Sequence, residues 1–205
     1  MYFYDAVENN HGLKHDPYKA IVAPRPIGWI SSLSEEGNPN LAPYSFFNGV
    51  SDNPHIVMFS STGRKDSVEN IEATGEFVCN LATWDLREQM NISSAMVPSG
   101  INEFALAGLT EAPCKMVKVP RVGESPIAME CKYLQTIRPK DLSGTELDSY
   151  IILGQVVGIH IDEACIEDGM IDLLRVRPIS RLGYMDYAVV DNLFSLSRPV
   201  VEGEI

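Results

Sequence analysis

The chain has 205 residues, of which 45% are hydrophobic, and it carries a formal net charge of −12. This length and apolar share suit one folded domain with a sizeable core and exclude a wholly disordered chain. The acidic balance argues against nucleic acid and anionic membrane surfaces as partners, because both attract basic proteins.

Cysteine spacing and the absence of targeting patterns indicate a reducing, cytoplasmic setting. The cysteines form no Cys-x-x-Cys motif, which leaves little support for a cysteine zinc site or a dithiol redox pair. They stand far apart, at Cys79, Cys114, Cys131 and Cys165. The N-terminus lacks the basic start and apolar run of a signal peptide, and no stretch reaches transmembrane length without charges. We therefore expect cysteines that act as small hydrophobic residues, and no membrane association.

The first part of the chain is predicted to hold a polar arm, three strands and a helix. Residues 1–19 are polar and mixed, as in an N-terminal arm laid over a core. Strands are predicted from β-branched and aromatic runs separated by turn residues, over 27–33, 41–51 and 55–61. A helix is predicted over 67–74, with Asp66 as its cap, Glu69 three residues later and Gly75 as its stop.

The remainder is predicted to return to strands around a helical middle section. Its elements are a strand over 76–83, helices over 84–96 and 101–109, and long strands over 127–137 and 149–161. The segment 113–126 is rich in proline and predicted to be irregular. The tail after Arg181 is predicted to be mostly loop with a little strand.

Six strands with a few short helices indicate a mainly β domain of the α+β class, with an antiparallel, barrel-like sheet. The helices cluster in mid-chain instead of alternating with strands, which argues against a doubly wound parallel sheet. The sequence contains neither Gly-x-Gly-x-x-Gly nor Gly-x4-Gly-Lys-Ser/Thr. It therefore lacks the usual dinucleotide and P-loop fingerprints.

A basic pair, Arg64 and Lys65, stands directly before the predicted helix in this acidic chain. The start of a helix exposes free N–H groups and the positive end of the dipole, so the pair and the Ser67 hydroxyl could hold a phosphate. Ser60 and Ser61 add hydroxyls at the end of the preceding strand. On charge alone, a solvated surface turn is the more common setting of such a pair, so both interpretations stay open.

A second stretch places Ser45, Phe46, Phe47 and Asn48 in a row. Neighbouring side chains of a strand point to opposite faces, so one phenylalanine can be core while the other faces something else. Ser45 and Asn48 could hydrogen-bond a planar heterocycle. The alternative is one core phenylalanine and one phenylalanine at a dimer interface.

A third stretch places Arg25 between Pro24 and Pro26, which hold it on an extended backbone. Such a backbone presents a cation at little entropic cost, although a surface ion pair is the alternative. Trp29 lies two residues beyond Ile27 and shares its face of the strand. By residue type alone, core packing is the ordinary role of Trp29.

Together these stretches resemble the flavin reductase-like family, the FMN-binding split-barrel proteins that include flavoredoxin-type electron carriers. The resemblance runs through RPIGWISSL, LAPYSFFNG, SSTGRKDSVENI, AMECKYLQTI, ILGQVVGIHID and PISRLGYMDY. It sets a domain over 20–187, between an arm over 1–19 and a tail over 188–205. It implies a six-stranded split β-barrel, a homodimer, and one FMN per subunit near the dimer interface.

The resemblance also assigns residues to the cofactor. Ser45, Phe46, Phe47 and Asn48 would line the flavin ring and ribityl chain, and the first strand would approach the flavin with Arg25, Pro26, Ile27 and Trp29. The phosphate-side turn matches Arg64, Lys65, Asp66 and Ser67, with Ser60 and Ser61 beside it.

Two further positions are assigned with open questions. Arg181 matches a late arginine of the family, but the family often reads Arg-Leu-Gly-Gly where this chain has Tyr184 after Gly183. The resemblance makes His160 a candidate contact with flavin or nicotinamide. A hydrogen-bonded structural histidine is the alternative.

The implied function is an FMN-dependent oxidoreductase that passes electrons from NAD(P)H to flavin or another acceptor. An FMN-carrying electron-transfer protein with a protein partner and a non-catalytic FMN-binding protein stay open as alternatives. Bound FMN would carry the chemistry, so no catalytic residue is assigned. No metal site is predicted, because His11 and His15 have helix-like spacing but lack an evident third ligand.

Overall fold

Runs of β-branched and aromatic residues form the centre of the structure, a computed structural model that describes residues 1–199. Its strands over these residues are β1 (Arg25–Pro26), β2 (Gly28–Leu33), β3 (Pro39–Tyr44), β4 (Phe47–Asp52), β5 (His55–Thr62), β6 (Glu76–Leu81), β7 (Glu111–Ala112), β8 (Arg121–Val122), β9 (Ile127–Ile137), β10 (Ser149–Ile161), β11 (Ile166–Glu167), β12 (Met170–Ile171), β13 (Ile179–Arg181) and β14 (Tyr187–Val189). Its helices over the same residues are α1 (Tyr18–Ile21), α2 (Asp66–Thr74), α3 (Arg87–Ile92), α4 (Glu103–Ala107) and α5 (Leu173–Val176), and a 3-10 turn covers Glu163–Cys165.

The main sheet has seven strands in the order β3-β2-β6-β9-β10-β5-β4, and each neighbouring pair is antiparallel. The two longest strands, β9 and β10, lie side by side near its middle. A second sheet joins three short strands in the order β1-β13-β14. The pairs β7-β8 and β11-β12 form small ribbons.

The prediction of six strands is wrong, because the segment 41–51 forms two strands instead of one. A bend at Ser45 and Phe46 separates β3 from β4, which lie at opposite edges of the seven-stranded sheet. The edges are not paired with each other, so this sheet is not a closed barrel. The chain nevertheless steps directly from one edge to the other, and this curves the sheet into a split-barrel shape within a mainly β domain.

Most other elements agree with their predicted positions. The long strands β9 and β10 match 127–137 and 149–161 residue for residue. Strands β2, β5 and β6 lie within two residues of their predicted bounds. Helices α3 and α4 form inside 84–96 and 101–109 but are much shorter than predicted.

Helix α2 begins at Asp66, and Lys65 occupies the position before it without a side-chain hydrogen bond to the helix. The capping role predicted for Asp66 is therefore wrong, because a capping side chain belongs to the residue that precedes the first helical one. Gly75 ends the helix in the left-handed region at a φ of 74°, as predicted. Val68 and Ile71 are fully buried and form its apolar face.

Alternate residues along the central strands pack into different parts of the core. Ile30 lies with Phe59 and Phe77 in one cluster, which α2 covers with its apolar face. Trp29 lies with Ile27 in a second cluster, which includes side chains of α3 and α4. The prediction that Trp29 and Ile27 share a face is therefore confirmed.

Outside this core, the described chain has little regular structure at its ends. Residues 1–17 precede α1 and form no strand, and no strand or helix occurs over 190–199. The last part of the predicted tail, 200–205, lies outside the described residues, and the domain bounds 20–187 stay a prediction. No helix within residues 1–199 has the length and apolar character to cross a membrane. All four cysteines are free.

Candidate functional site

Two adjoining cavities open where β3 ends and α2 begins, and both are lined by Pro43 and Ser94. The arginine cavity has a volume of about 290 Å³, and its lining includes Arg25, Ser45, Arg181, Tyr184 and Tyr187. The helix cavity has a volume of about 270 Å³, and its lining includes Tyr44, Lys65, Asp66, Ser67 and Glu103. Together they reach the size of small-molecule sites, which is roughly 300–1,000 Å³.

Arg25 is buried and links the segment around Lys19 and Val22 to Leu182 through hydrogen bonds. Its guanidinium donates to the carbonyl oxygens of Lys19 and Val22, and at 2.8 Å to that of Leu182. Its Nε lies 3.4 Å from Ser45 Oγ at the cavity wall. The alternative role as a surface ion pair is wrong, because this side chain bonds backbone carbonyls below the surface.

Arg181 stands directly opposite Arg25 in the pairing of β1 with β13. Like charges that face each other across strands destabilise a sheet. Burial, followed by the charge of Arg181, lowers the pKa of Arg25. Within residues 1–199, no carboxylate lies at ion-pair distance from either arginine. Two positive charges thus meet at the arginine cavity without a carboxylate partner among the described residues.

The run from Ser45 to Asn48 divides between the cavity, the core and the surface. Ser45 lines the arginine cavity, and the Phe46 ring lies 5.8 Å from the Arg25 guanidinium. Phe47 packs against the core, whereas Asn48 is exposed on the edge strand β4. The structure thus brings Ser45 to the cavity and does not bring Phe47 or Asn48 there.

The basic pair before α2 is also divided. Arg64 turns toward α2, where its Nη1 lies 2.5 Å from Glu72 Oε2 and its Nε lies 3.5 Å from Glu69 Oε1. The hydrogen bond with Glu72 raises the pKa of Arg64. Lys65 lines the helix cavity, and Arg64 does not. The charge of Arg64 is therefore largely paired with two carboxylates of α2.

Hydroxyl groups near the start of α2 form a buried network. Ser67 is fully buried and accepts a hydrogen bond from Asn40 Nδ2 at 2.9 Å. Burial raises the pKa of Tyr44, although hydrogen bonds with Ser67 and Ser61 oppose this shift. Ser61 also donates to the Gly63 carbonyl at 2.9 Å. Ser67 lines the helix cavity, and Ser61 does not.

Three other residues of the predicted set lie around rather than in these cavities. Trp29 is fully buried, and its indole N–H donates to Ser93 Oγ at 2.9 Å, which fixes a hydroxyl on the wall of the helix cavity. Ser60 donates its N–H to the Phe46 carbonyl at 2.8 Å and is part of β5. Pro26 is exposed on β1, whereas Ile27 does line the arginine cavity.

Glu103 is a cavity residue that the sequence does not reveal. It is only 6% exposed, and its carboxylate accepts the Leu41 N–H at 3.0 Å. Burial raises its pKa, the bond from Leu41 opposes this, and the nearby charge of Asp66 adds to it. In sequence, Glu103 is one acidic residue among many at the start of a short helix, so no local signal distinguishes it.

Tyr184 is the residue at which the backbone of the site is strained. Its φ is 54°, a left-handed conformation that is uncommon for a bulky residue. Its carbonyl oxygen accepts a hydrogen bond from Arg181 Nη2, and its ring lies 5.6 Å from that of His15 in the N-terminal arm. The left-handed φ explains why the resembled family often has a glycine where this chain has Tyr184.

His160 lies elsewhere, in a polar cavity of about 380 Å³ whose lining includes Lys115, Arg121 and Asp162. Among the described residues, this cavity shares no lining residue with the arginine or helix cavity. His160 Nε2 lies 2.6 Å from Glu130 Oε1. The structure therefore gives His160 a hydrogen-bonded position beside Glu130 and does not bring it to the other predicted residues.

Glu130 is almost fully buried and serves four donors. Its oxygens accept the N–H groups of Lys115, Met116 and Val117 at 2.9, 2.6 and 2.9 Å, besides the contact with His160. Burial opposes its ionisation, but these bonds lower its pKa overall.

Cys114 completes a group in which the ligand atoms of Cys114, Glu130 and His160 lie within 4.8 Å of one another. Burial, with the charge of Glu130, raises the pKa of Cys114 to about 12. A protonated thiol beside a saturated carboxylate is a poor metal-binding set.

Comparison with known proteins gives a consistent result. The family model described as "Flavin reductase like domain" matches residues 22–180. A protein of Aquifex aeolicus is 37% identical over 169 residues, which cover 80% of this chain and 83% of that protein. Component B of nitrilotriacetate monooxygenase from Bacillus cereus is 33% identical and superimposes with a TM-score of 0.82, covering 91% of this chain and 96% of that one. The 2-nitrobenzoate 2-nitroreductase of Pseudomonas fluorescens is 29% identical with a TM-score of 0.78, covering 89% and 88%.

The raised pKa of Glu103 predicts a pH-dependent effect of Glu103→Gln on stability. The folded protein holds the Glu103 proton at pH values where the unfolded chain, with a pKa near 4.5, has lost it. Stability is therefore lost as pH rises from 4.5 through the folded pKa. Since glutamine does not titrate, the variant should gain stability relative to the parent over this window. Urea unfolding at a series of pH values measures the difference.

Glu72 provides a control of opposite sign for that experiment. Burial alone would raise its pKa, but bonds from Thr136 and Arg64 lower it overall. The parent should therefore gain stability as pH rises toward 4.5, and Glu72→Gln, which lacks this carboxyl, should become less stable relative to the parent over that range. A Glu103→Gln difference that is independent of pH would contradict the account of Glu103.

The left-handed backbone at Tyr184 predicts an unusual order of stability for two truncations. Tyr184→Gly and Tyr184→Ala both remove the ring, and only glycine adopts this φ freely. We expect the glycine variant to be more stable than the alanine variant by about 1 kcal/mol. Chemical denaturation of both variants measures the difference, and equal stability would show that the backbone is not strained.

Proposed function

Because this chain belongs to the flavin reductase-like family, we propose that it is an FMN-binding oxidoreductase whose cofactor lies along the arginine and helix cavities. In this proposal it takes electrons from NAD(P)H and passes them to flavin or another acceptor. The observation that carries the proposal is the pair of facing arginines, Arg25 and Arg181, at a cavity in a chain of net charge −12. Facing cations are stabilised by a bound anion.

The residues of the helix cavity suit the phosphate end of the cofactor. Lys65 supplies a cation beside the first turn of α2, whose free N–H groups and dipole favour an anion. Burial raises the pKa of Glu103, one of the two acidic residues of this lining. Asp66 remains as an opposing charge, so Lys65 would carry most of the attraction.

The residues of the arginine cavity suit the ring end. Ile27, Pro43 and Met90 provide apolar surface for a planar ring, and Arg25 and Arg181 face its polar edge. When bound, FMN would supply the hydride and electron-transfer chemistry. The arginines would stabilise negative charge that develops at the ring edge, and the Ser45 hydroxyl would help to orient it.

A homodimer in the reducing cytoplasm completes the proposal. The exposed strand β4 leaves one edge of the main sheet unpaired over the described residues, and such edges are usually covered by another chain or element. Four free cysteines agree with a reducing compartment. A protein partner as electron donor or acceptor is compatible with the acidic surface.

A spectroscopic titration tests this function directly. Purified protein mixed with FMN should retain it on a desalting column and show the two visible absorption bands of oxidised flavin. Anaerobic addition of NADH or NADPH should then bleach these bands. Retained flavin without bleaching would favour an electron carrier or a non-catalytic FMN-binding protein, and failure to retain FMN would refute the proposal.

Substitution of the two adjacent cations should separate their roles. We expect Lys65→Met to weaken FMN binding about tenfold or more, because it removes a charged hydrogen bond worth roughly 1.5–3 kcal/mol. Arg64→Met should have little effect, since Arg64 is engaged by Glu69 and Glu72. Quenching of flavin fluorescence measures both affinities.

Riboflavin is the matched ligand for that comparison, because it lacks the phosphate. Lys65→Met should leave riboflavin affinity close to that of the parent. An equal loss of FMN and riboflavin affinity, or equal effects of Arg64→Met and Lys65→Met on FMN, would contradict the phosphate role of Lys65.

A further inference from the structure

A third cavity continues the site beyond the arginine cavity. It has a volume of about 380 Å³ and shares Met90, Arg181 and Tyr187 with the arginine cavity. We call it the Trp84 groove, and it is lined by Trp84, Arg87, Met90, Ile179, Arg181 and Tyr187, with Glu88 and Val189 among its other residues. Its position makes it accessible to a molecule that approaches the cofactor site from outside.

Each aromatic wall of the groove carries a stacked guanidinium. Arg87 lies 4.2 Å from the centre of the Trp84 ring, and Arg177 approaches the same ring at 5.4 Å. Arg181 lies 4.5 Å from the Tyr187 ring, which also lines the groove. A guanidinium that stacks on a ring keeps its planar fork of donors oriented and available at the ring edge.

The groove is cationic despite the acidic chain. The guanidinium of Arg87 lies 3.6 Å from Glu88, in an exposed pair that is worth little. Arg181, the other arginine of the lining, forms no ion pair within residues 1–199. Arg87 and Arg181 therefore line the groove with one weakly paired carboxylate. Arg87 also donates from Nη1 to the Trp84 carbonyl at 2.7 Å, whereas its Nη2 forms no hydrogen bond within residues 1–199, and this leaves donors for an incoming anion.

Part of the groove lining is apolar. Met90, Ile179 and Val189 line the groove together with Trp84 and Tyr187. Their surface suits a flat ring, and the volume of about 380 Å³ stands near the lower end of ligand sites, about 300–1,000 Å³. This size favours a molecule with a single ring system over a dinucleotide.

We propose that the Trp84 groove binds a small aromatic carboxylate, with the ring between Trp84 and Tyr187 and the carboxylate on Arg87. An arginine fork matches a carboxylate with two parallel hydrogen bonds, which a spherical anion cannot use equally. That the ligand would lie next to the cofactor rests on the proposed function. Binding itself rests only on the groove.

Calorimetric titration with three matched probes tests the groove. Benzoate has both the ring and the charge, cyclohexanecarboxylate has the charge without a planar ring, and benzyl alcohol has the ring without the charge. We expect benzoate to bind at least about threefold more tightly than either analogue. Equal binding of either analogue, or no heat from benzoate up to tens of millimolar, would overturn the proposal.

Two arginine variants locate the binding. Arg87→Met should weaken benzoate binding about tenfold, since it removes the charged hydrogen bonds and keeps an apolar stem. Arg138→Met is the matched control. Arg138 also stacks on an aromatic ring, 4.1 Å from the centre of the Tyr150 ring, but neither residue lines the groove. Similar benzoate affinity in Arg87→Met and the parent protein, or an equal loss in Arg138→Met, would refute the assignment.

A parallel FMN titration separates this proposal from the proposed function. Arg87 lines neither the arginine nor the helix cavity, so Arg87→Met should retain the FMN affinity of the parent protein. Benzoate binding in a protein that takes up no FMN would refute the proposed function and keep the groove. FMN binding without benzoate binding would refute the groove alone.

Discussion

One crossing of the chain, at Ser45 and Phe46, shapes the whole molecule. It carries the backbone from the β3 edge of the main sheet to the β4 edge, so the sheet has to curve until its two edges approach. Phe47 is seated on the bare backbone of Gly28, where an added Cβ would stand 2.5 Å from the ring. Both cavities open beside this crossing, and Pro43, one of the two residues that line both, lies two residues before it.

The distribution of cations matters more to this chain than their number. With a net charge of −12, the surface repels anions at a distance. Arg25 and Arg181 nevertheless face each other, and their donors are held by backbone carbonyls rather than by carboxylates. The charges are thereby fixed in place without being neutralised. A site of this kind attracts an anion only at short range, which favours a ligand whose shape also fits.

Local patterns in the sequence predict where strands and helices form better than they predict how these elements pair and pack. The strands over 127–137 and 149–161 are correct because long β-branched runs with a turn between them allow little else. The segment 41–51 is misread because its bend contains no glycine or proline to mark it.

The candidate site is less readable, since its residues meet through tertiary contacts. The sequence shows that Arg64 adjoins Lys65, but Glu69 and Glu72 claim Arg64 only once α2 has formed. Glu130 offers a last illustration, because its carboxylate replaces the partner strand that the irregular segment around Met116 lacks. A side chain that hydrogen-bonds backbone groups restricts which substitutions its neighbours tolerate during evolution. Residues 130 and 160 are therefore expected to change together among relatives, since loss of the carboxylate alone leaves buried donors and His160 without an acceptor.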